Sequence, residues 1–388
     1  MSEIVIATGT RADWGLLSPL ARALAHVPGT KVRILATNMH LMPEFGNTIA
    51  EIEADGFRPD ALVPMPGGDS ALERAVAMAV CLEGAARELA RMTPDMIVIL
   101  GDRYEMLAIA SAATMLGIPI AHLHGGELSY GAIDDNIRHA ISKLSALHFT
   151  STENARRRLI AMGEQPHRVI DTGAIGVWNF CNFTPMDRSE LENSLGIELD
   201  RPTLLATFHP ATLDPADPAD RCRAMLDAID SFPGHRLVLT YPNNDPRSEG
   251  IIRLIKTYAA ENPDRVLLIP SLGLRRYQSL LKYVDAVIGN SSSGILEVPS
   301  AGIPTVNIGI RQDGRERAPS VIDCGDSADD IRSAIALALT PEFRAKAARA
   351  ENPYYKPDTL KLMTDAIAGA DTQALKTKKF HDSCTDRL

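Results

Sequence analysis

The sequence contains few aromatic residues, few cysteines and no basic patch. Only 5% of its 388 residues are Phe, Trp or Tyr, and its five cysteines include no C-x-x-C pair. An odd, widely spaced set of cysteines argues against a disulfide framework and a zinc ribbon, so we expect a reducing, cytoplasmic environment. The formal net charge of -9 disfavours nucleic-acid and membrane partners. The densest basic cluster, residues 156–158, lies in a helical pattern and is expected to face solvent.

Long apolar segments and the common nucleotide-binding fingerprints are also missing. No basic region followed by an apolar stretch begins the chain, so no signal peptide is expected. The longest uncharged run, residues 106–126, contains Gly117, Pro119 and two histidines, which fits a buried helix and strand better than a membrane span. The absence of G-x-G-x-x-G and G-x-x-x-x-G-K-[ST] after the first strand disfavours nicotinamide cofactors and nucleotide hydrolysis.

What the sequence does have is an alternation of short apolar runs and longer helical patterns. This alternation predicts α/β architecture with parallel sheets covered by helices on both faces. The predicted strands are residues 4–7, 32–36, 96–100, 119–123, 146–150, 169–171, 203–207, 236–240, 265–269, 286–288, 305–308 and 321–322. The predicted helices include residues 16–26, 71–91, 104–116, 133–143, 219–229, 274–282 and 358–368.

Two β/α series of similar size predict two doubly wound, Rossmann-like domains that face each other across a deep cleft. The polar, proline-containing segment 182–187 is the best linker, so we predict domains at residues 1–181 and 182–370. The last helix, 358–368, could belong to either domain, and residues 371–388 are expected to form a poorly ordered polar tail. Ligands of such sheets bind beyond the carboxyl ends of the strands.

The loop after the first strand has the features of an anion-binding turn. Residues 8–15 (TGTRADWG) place Gly9 and Arg11 between that strand and the first helix. Glycine lets the backbone approach a ligand, the helix start offers N–H groups and arginine adds a cation, so the loop suits a phosphate or diphosphate. The alternative is an ordinary turn in which Arg11 is a surface charge.

Acidic and histidine side chains follow two further buried strands. Asp102 lies in residues 100–105 (LGDRYE), and His124 and Glu127 lie in residues 122–127 (HLHGGE). Neighbouring parallel strands would bring these three groups to one cleft mouth, where two glycines leave room for a ligand. The alternative for Asp102 is to cap the helix that follows it.

Two adjacent aspartates begin the helix after this loop, in residues 131–139 (GAIDDNIRH). Negative charge in a first helical turn offsets the helix dipole, so one of Asp134 and Asp135 is expected to be structural. The other is expected to face the cleft, where clustered carboxylates have perturbed pKa values suited to acid/base chemistry. Metal binding is the competing explanation, and it is disfavoured because no single helix presents a ligand pair.

The second half of the chain carries two further candidate sites. His209 follows an apolar strand and is either a phosphate ligand or a loop residue bonded to the backbone. Residues 289–297 (GNSSSGILE) form a strand, a turn of hydroxyl residues and a helix start, which can cradle a diphosphate. Glu297, about one turn into that helix, either accepts from the hydroxyls of a ribose or makes a capping interaction with a serine.

Together these motifs resemble the hydrolysing UDP-N-acetylglucosamine 2-epimerases, whose non-hydrolysing relatives share a two-domain, GT-B-like fold. The non-hydrolysing relatives typically carry Val-Glu-Ala-Gly where this chain has LHGG at residues 123–126, and this difference favours the hydrolysing branch. The matching segments are residues 9–15, 101–105, 122–127, 134–135 with 138–139, 208–210, 289–294 with 297–300, 307–309 and 311–315.

The resemblance implies conversion of UDP-N-acetylglucosamine into UDP and N-acetylmannosamine for sialic-acid-type sugar synthesis, by a homodimer or higher homo-oligomer that needs no cofactor or metal. It implies catalytic roles for Asp102, Glu127, Asp134 and His209, with Asp135 as the substitute for Asp134. The substrate-binding residues that it implies are Arg11, His124, Asp135, Arg138, Ser291, Ser292, Ser293, Gly294, Glu297 and Arg315. Some members act instead on a UDP-2,4-diacetamido-2,4,6-trideoxyhexose in legionaminic acid synthesis.

Three other functions compete with this one. A non-hydrolysing epimerase would release UDP-N-acetylmannosamine, and a GT-B glycosyltransferase would transfer the sugar to an acceptor. A catalytically silent nucleotide-sugar sensor would keep the diphosphate ligands without needing the acids. Acids at three successive strand or loop ends count against the sensor.

Overall fold

The computed structural model describes residues 2–42, 46, 48–67, 70–130, 133–211, 216–242 and 247–382. The strands are β1 (Ser2–Thr8), β2 (Thr30–Thr37), β3 (Pro59–Val63), β4 (Met96–Leu100), β5 (Ile120–Leu123), β6 (Leu147–Thr150), β7 (Val169–Asp171), β8 (Thr203–Thr207), β9 (Arg236–Thr240), β10 (Val266–Ile269), β11 (Ala286–Gly289), β12 (Thr305–Ile308) and β13 (Val321–Cys324).

The helices are α1 (Arg11–Ala25), α2 (Ile49–Ala54), α3 (Ala71–Met92), α4 (Tyr104–Met115), α5 (Asp134–Leu144), α6 (Glu153–Ala161), α7 (Ile175–Cys181), α8 (Arg188–Leu195), α9 (Pro218–Ile229), α10 (Ser248–Glu261), α11 (Gly273–Leu280), α12 (Ser293–Leu296), α13 (Ala328–Ala338), α14 (Pro341–Ala347), α15 (Thr359–Ala368) and α16 (Thr372–Leu375). No helix in the described ranges is long and apolar enough to cross a membrane.

The strands form two parallel sheets, which confirms the predicted α/β class. The first has the order β3-β2-β1-β4-β5-β6-β7, and the second has the order β10-β9-β8-β11-β12-β13. In both sheets the strand order reverses beside the first strand of the series, because β4 and β11 return to pair with β1 and β8. Open parallel sheets bind ligands at such a reversal, beyond the carboxyl strand ends.

Alternating side chains of each central strand fill separate cores on the two sheet faces. In β1, Ile4 and Ile6 pack in one apolar cluster while Val5 and Ala7 pack in another. In β8, Leu204 and Leu205 likewise belong to different clusters. Strands buried on both faces read as continuous apolar runs, which is why their positions could be predicted from the sequence.

All twelve predicted strands are present, but the apolar runs of the sequence did not predict β3. This strand lies at the edge of the first sheet, where β2 is its one partner within the described ranges. It begins at Pro59, and its exposed residues Asp60 and Leu62 alternate with the buried Ala61 and Val63. A proline and a half-exposed pattern are typical of edge strands, and they conceal the apolar run that identifies a central strand.

Contacts divide the chain into two compact units. Unit 1 comprises Met1–Glu127, Asp134–Asn179 and Tyr354–Leu388, and unit 2 comprises Leu128–Ile133 and Phe180–Pro353. The sequence placed the main boundary after residue 181 and assigned residues 128–133 to the first domain. The backbone N–H of Tyr130 donates to the carbonyl of Asp313 at 3.2 Å, a long-range contact that a local pattern cannot reveal.

Helix α15 and most of the predicted tail pack within unit 1. Met363 and Ile367 of α15 lie in the same apolar cluster as Ile4, and so does Leu375 of α16. The predicted disorder of residues 371–388 is therefore wrong for residues 371–382, and residues 383–388 lie outside the described residues. The polar composition of this segment suggested disorder, because the few residues that hold it in place are widely spaced along the chain.

Charged contacts fix the end of the described chain. The Lys378 ammonium lies 2.7 Å from the carboxylate of Glu164, which also contacts Lys143 and His148. Burial tends to raise the pKa of Glu164, but hydrogen bonds from these three residues outweigh it and lower the pKa to about 2. Lys378 also donates to the carbonyls of Lys143 and Ser145 at 2.7 Å.

Candidate active site

In unit 1 the candidate residues follow the carboxyl ends of three adjacent strands. Strand β4 pairs with β1 on one side and with β5 on the other. Asp102 follows β4, His124 and Glu127 follow β5, and Arg11 begins the helix after β1. The parallel arrangement puts these strand ends at one edge of the sheet, as predicted.

Arg138 links the candidate acids of this edge. It lies on α5, is only 1% exposed, and donates to the carboxylate of Asp102. It also lies 3.5 Å from the carboxylate of Asp135 and donates to the backbone carbonyl of Glu127 at 2.9 Å. Burial opposes the charged form of Arg138, but the neighbouring acids, Asp102 first, raise its pKa. One buried cation therefore holds groups from three segments together.

The Asp102 contact decides between two predicted roles. The N-cap position of α4 belongs to Arg103, whose own side chain makes no capping hydrogen bond. Asp102 instead pairs with Arg138, 36 residues further along the chain. The capping alternative for Asp102 is therefore wrong.

The two aspartates of α5 lie in its first turn, as predicted. Asp135 faces the charged side of the site, because its carboxylate lies 3.5 Å from both Arg138 and His139. Asp134 is the half-buried first residue of the helix. The choice of Asp134 over Asp135 as the catalytic acid stays a prediction.

The loop after β5 holds His124 and Glu127 against each other. Nδ1 of His124 lies 2.9 Å from Oε1 of Glu127, and both side chains are mostly buried. Gly126 makes the tight loop possible, because its φ is +79° and a Cβ there would lie 2.5 Å from the carbonyl oxygen of Ala155. Arg158 donates to the Gly126 carbonyl, so the predicted solvent-facing role of this arginine is wrong.

His122 supports the same loop from inside the sheet. It is fully buried, and Nε2 donates to the carbonyl of Gly101 at 2.7 Å while Nδ1 lies 3.2 Å from the hydroxyl of Ser142. Burial lowers its pKa to about 3, so the ring is neutral at physiological pH. His122 thereby joins the loops that carry Asp102 and His124.

Arg11 lies apart from these contacts. It is the first residue of α1, and its Nε lies 3.0 Å from the carboxylate of Glu51 on α2. Both side chains are nearly half exposed. This surface ion pair agrees with the alternative reading of Arg11, and its predicted role as a diphosphate ligand stays a prediction.

A second charged cluster at this edge was not predicted. The fully buried Glu105 accepts from Arg103 Nε at 2.5 Å and from Asn38 Nδ2 at 2.8 Å. Asp13 accepts from the backbone N–H of Gly9 at 3.3 Å. Burial raises the pKa of Asp13 to about 6, although the nearby Arg103 lowers it. The sequence feature that could have indicated this cluster is Glu105, because it is the only charged residue in the apolar helix α4.

In unit 2 the loops after β8 and β11 interlock. The backbone N–H of His209 donates to Oδ1 of Asn290 at 2.7 Å, and Nδ2 of Asn290 donates back to the His209 carbonyl at 2.8 Å. Gly289 is required here, because its φ is +133° and a Cβ would lie 1.9 Å from the Thr207 oxygen. Burial lowers the pKa of His209 well below its usual value, and Arg311 lowers it further.

The serine turn, residues 291–293, leads into a helix that is shorter than predicted. Helix α12 ends at Leu296, so Glu297 follows the helix and does not lie one turn inside it. Pro299 explains the early end, because proline removes a backbone donor and disfavours helical geometry at the preceding residue. Ser292 is the N-cap and makes no side-chain capping hydrogen bond.

Neighbouring residues orient the serine turn. The hydroxyls of Tyr277 and Ser293 lie 2.6 Å apart, and the Gly294 carbonyl accepts from Thr305 at 2.8 Å. Arg311 and Gln312 donate to the Asn290 carbonyl, at 3.1 Å and 2.9 Å. Arg315 is half-buried in the same segment. Because α12 has a single turn, any anion affinity rests on hydroxyl and local N–H groups more than on a helix dipole.

Within the described ranges, no three His, Cys, Asp or Glu side chains are grouped so that they could hold a metal ion.

A family model described as UDP-N-acetylglucosamine 2-epimerase matches residues 22–368. The chain belongs to the UDP-N-acetylglucosamine 2-epimerase family. This 2-epimerase family member is 37% identical over 343 residues to a Campylobacter jejuni protein named GDP/UDP-N,N'-diacetylbacillosamine 2-epimerase (hydrolyzing), and the match covers 88% of each chain. It is 36% identical to the polysialic acid biosynthesis protein P7 of Escherichia coli, across 93% of this chain and 92% of that one.

Solved structures of the family share the fold of this 2-epimerase family member. The UDP-GlcNAc 2-epimerase of Neisseria meningitidis, solved with UDP-GlcNAc bound, superposes with a TM-score of 0.80 at 18% identity. The match covers 95% of this chain and 100% of that structure. The GT-B-like fold expected from the sequence is thereby confirmed.

The raised pKa of Asp13 makes a pH-dependent stability prediction. Its pKa is about 6 when folded and about 3.8 when unfolded, so ionisation disfavours the folded state increasingly as pH rises between these values. Asp13→Asn should therefore stabilise the protein by about 2 to 3 kcal/mol at pH 8 and by almost nothing near pH 4.

Thermal unfolding followed from about pH 4 to about pH 8 checks this expectation. Asp220→Asn, which replaces an exposed acid in the first turn of α9, is the matched control and should show no such trend. A stability difference for Asp13→Asn that does not vary with pH would contradict the assignment.

Proposed function

We propose that this protein is a hydrolysing 2-epimerase that converts UDP-N-acetylglucosamine into N-acetylmannosamine and UDP. The observation that carries the proposal is the set of acids held around Arg138, in a chain of the 2-epimerase family. The name of the 37%-identical Campylobacter relative supports the hydrolysing reaction, and that of the E. coli relative supports a place in sialic-acid-type sugar synthesis.

The chemistry requires the sugar–phosphate bond to break before C2 changes its configuration. No carbonyl lies beside C2, so its proton is not acidic in the intact sugar. As the C1–O bond to UDP breaks, C1 gains oxocarbenium character and the C2 proton becomes acidic enough for a protein base. Elimination gives UDP and 2-acetamidoglucal, and water then adds across the double bond with the new C2 proton on the opposite face.

Acid and base groups of unit 1 suit the two proton transfers. We assign Asp102, Glu127 and Asp134 to these transfers, with Asp135 as the substitute. Arg138 supports the assignment because its buried guanidinium fixes the Asp102 carboxylate and the backbone of Glu127. Groups whose positions are fixed before the reaction lower the barrier without reorganising during it.

Groups of unit 2 suit the departing diphosphate. The serine turn offers three hydroxyls, with Ser293 held by Tyr277. Asn290 fixes the backbone of His209 through two hydrogen bonds. Because burial keeps His209 neutral, it would bind a phosphate oxygen as a hydrogen-bond donor without a net charge. Glu297 remains the candidate ligand of the ribose, and Arg11, Arg315 and Gly294 complete the proposed binding set.

A second substrate is a UDP-2,4-diacetamido-2,4,6-trideoxyhexose. The Campylobacter relative favours it, because N,N'-diacetylbacillosamine is a sugar of this type. The two substrates share the acetamido group at C2 and the diphosphate at C1, so the same residues would act on both. Comparing kcat/KM for the two nucleotide sugars decides between them.

The acid/base assignment predicts the behaviour of two isosteric variants. Asp102→Asn and Glu127→Gln should each lower kcat by about 10²- to 10⁴-fold, because a positioned acid or base contributes roughly that much. UDP affinity measured by calorimetry should stay within about threefold of wild type. Glu83→Gln, at an exposed site on α3, is the control and should keep full activity. Near-full turnover of either isosteric variant would refute its assigned role.

The elimination route predicts a specific isotope pattern. In heavy water the released N-acetylmannosamine should carry one deuterium at C2, because the proton added there comes from solvent. NMR of the reaction mixture measures this label and also separates the competing functions. Unlabelled product would exclude the route, and UDP-N-acetylmannosamine, acceptor-dependent UDP or no reaction would indicate the other three functions.

A homodimer in the cytoplasm completes the proposal. Leu72, Val76 and Val80 are exposed by 74%, 50% and 41% and follow each other at four-residue spacing on α3. Such a stripe is typical of a self-association surface. Val76→Glu should therefore shift the protein from dimer to monomer in sedimentation velocity, and a wild-type monomer would contradict the proposal.

Free thiols at Cys81, Cys181, Cys222 and Cys324 support a reducing compartment, which cell fractionation tests.

A further inference from the structure

His124 has a backbone conformation that few non-glycine residues adopt. Its φ is +64°, and it is one of four non-glycine residues with positive φ in the described ranges. Its backbone N–H donates to the carbonyl of Phe149 at 2.9 Å, which anchors this conformation to β6. Glycine would adopt it with less strain, and strain of this kind collects at functional sites.

The side chain of His124 is held in one tautomer. Oε1 of Glu127 lies 2.9 Å from Nδ1, and an ionised carboxylate only accepts hydrogen bonds, so Nδ1 carries the hydrogen. In the neutral ring, Nε2 then presents a lone pair. This nitrogen is buried and has no hydrogen-bond partner among the described residues. A histidine present only for packing would need neither the strained backbone nor an unpaired buried nitrogen.

Glu127 is more deeply buried than this imidazole. Its side chain is 6% exposed, less than the 12% of His124, and its backbone carbonyl is bound by Arg138. The arrangement matches a base whose tautomer is fixed by a carboxylate, as in a histidine held by aspartate. Such a carboxylate acts through the ring and does not itself touch the substrate.

We propose that His124 is the catalytic base that removes the C2 proton, and that Glu127 is its positioning residue. This inference rests on the proposed function and revises one assignment within it, because Glu127 then acts through His124 and does not transfer a proton to or from the sugar itself. The C2–H bond breaks, its proton passes to Nε2, and its electron pair forms the C1–C2 double bond. The electron pair of the C1–O bond leaves with the UDP oxygen. The Glu127 carboxylate balances the imidazolium, which then releases its proton to water.

His124→Gly tests the proposal without disturbing the loop. Glycine adopts a φ of +64° freely, so the variant should keep the backbone conformation of the loop, and its circular dichroism spectrum should match that of wild type. Its kcat should nevertheless fall by about 10²- to 10⁴-fold. Free imidazole added to the assay should restore part of kcat in a concentration-dependent way, which a structural role for His124 would not produce.

Two further variants make the test specific. Thr93→Gly removes another left-handed residue, at the end of α3, and should keep wild-type kcat. Adding Glu127→Gln to His124→Gly should cost less than about threefold more, because the carboxylate acts through a ring that is no longer there.

Two results would overturn the proposal: His124→Gly with kcat within about threefold of wild type, or a double variant that loses the full effect of both single changes. In either case active wild-type protein would leave the proposed function standing. Wild-type protein that turns over neither nucleotide sugar would overturn both.

Discussion

A single buried guanidinium organises the acidic edge of unit 1. Arg138 comes from α5, yet its partners come from the loop after β4, the loop after β5 and its own helix. A charge with so little access to water is stable only when its donors are matched by acceptors, and removing one partner of a buried pair typically costs about 3–5 kcal/mol. The positions of Asp102 and Glu127 are therefore constrained by the same requirement that keeps Arg138 satisfied.

The loop after β5 combines close packing with strain. Gly126 passes so near Ala155 that no side chain fits, and the neighbouring His124 adopts a left-handed backbone although it is not glycine. His122, on strand β5, anchors the loop through the hydrogen bond from its Nε2 to the carbonyl of Gly101. A segment fixed at so many points presents its polar atoms in one arrangement, which is what the proposed proton transfer to or from a bound sugar requires.

Local sequence patterns were sufficient to predict strands that are buried on both faces of a sheet and to recognise the motifs of the family. The central strands of both sheets are apolar on both faces, so their positions and the α/β class followed from the apolar runs. Motif order along the chain was sufficient to identify the family. These patterns did not predict three features: the edge strand β3, the early end of α12 at Pro299 and the packing of residues 371–382. Each of these depends on a few contacts with distant residues or on a single proline within an otherwise regular local pattern.

The sequence by itself determined which residue types stand after which strands, and hence the candidate acids, histidines and serines. Only the tertiary structure decided their partners. Asp102 matches the sequence pattern of a helix cap, but it pairs with an arginine 36 residues away, and Glu105 matches an ordinary first-turn acid but is buried against Arg103. Hydrogen bonding between segments far apart in the chain depends on distance and direction in space, and neither quantity is encoded in the spacing of residues along the chain.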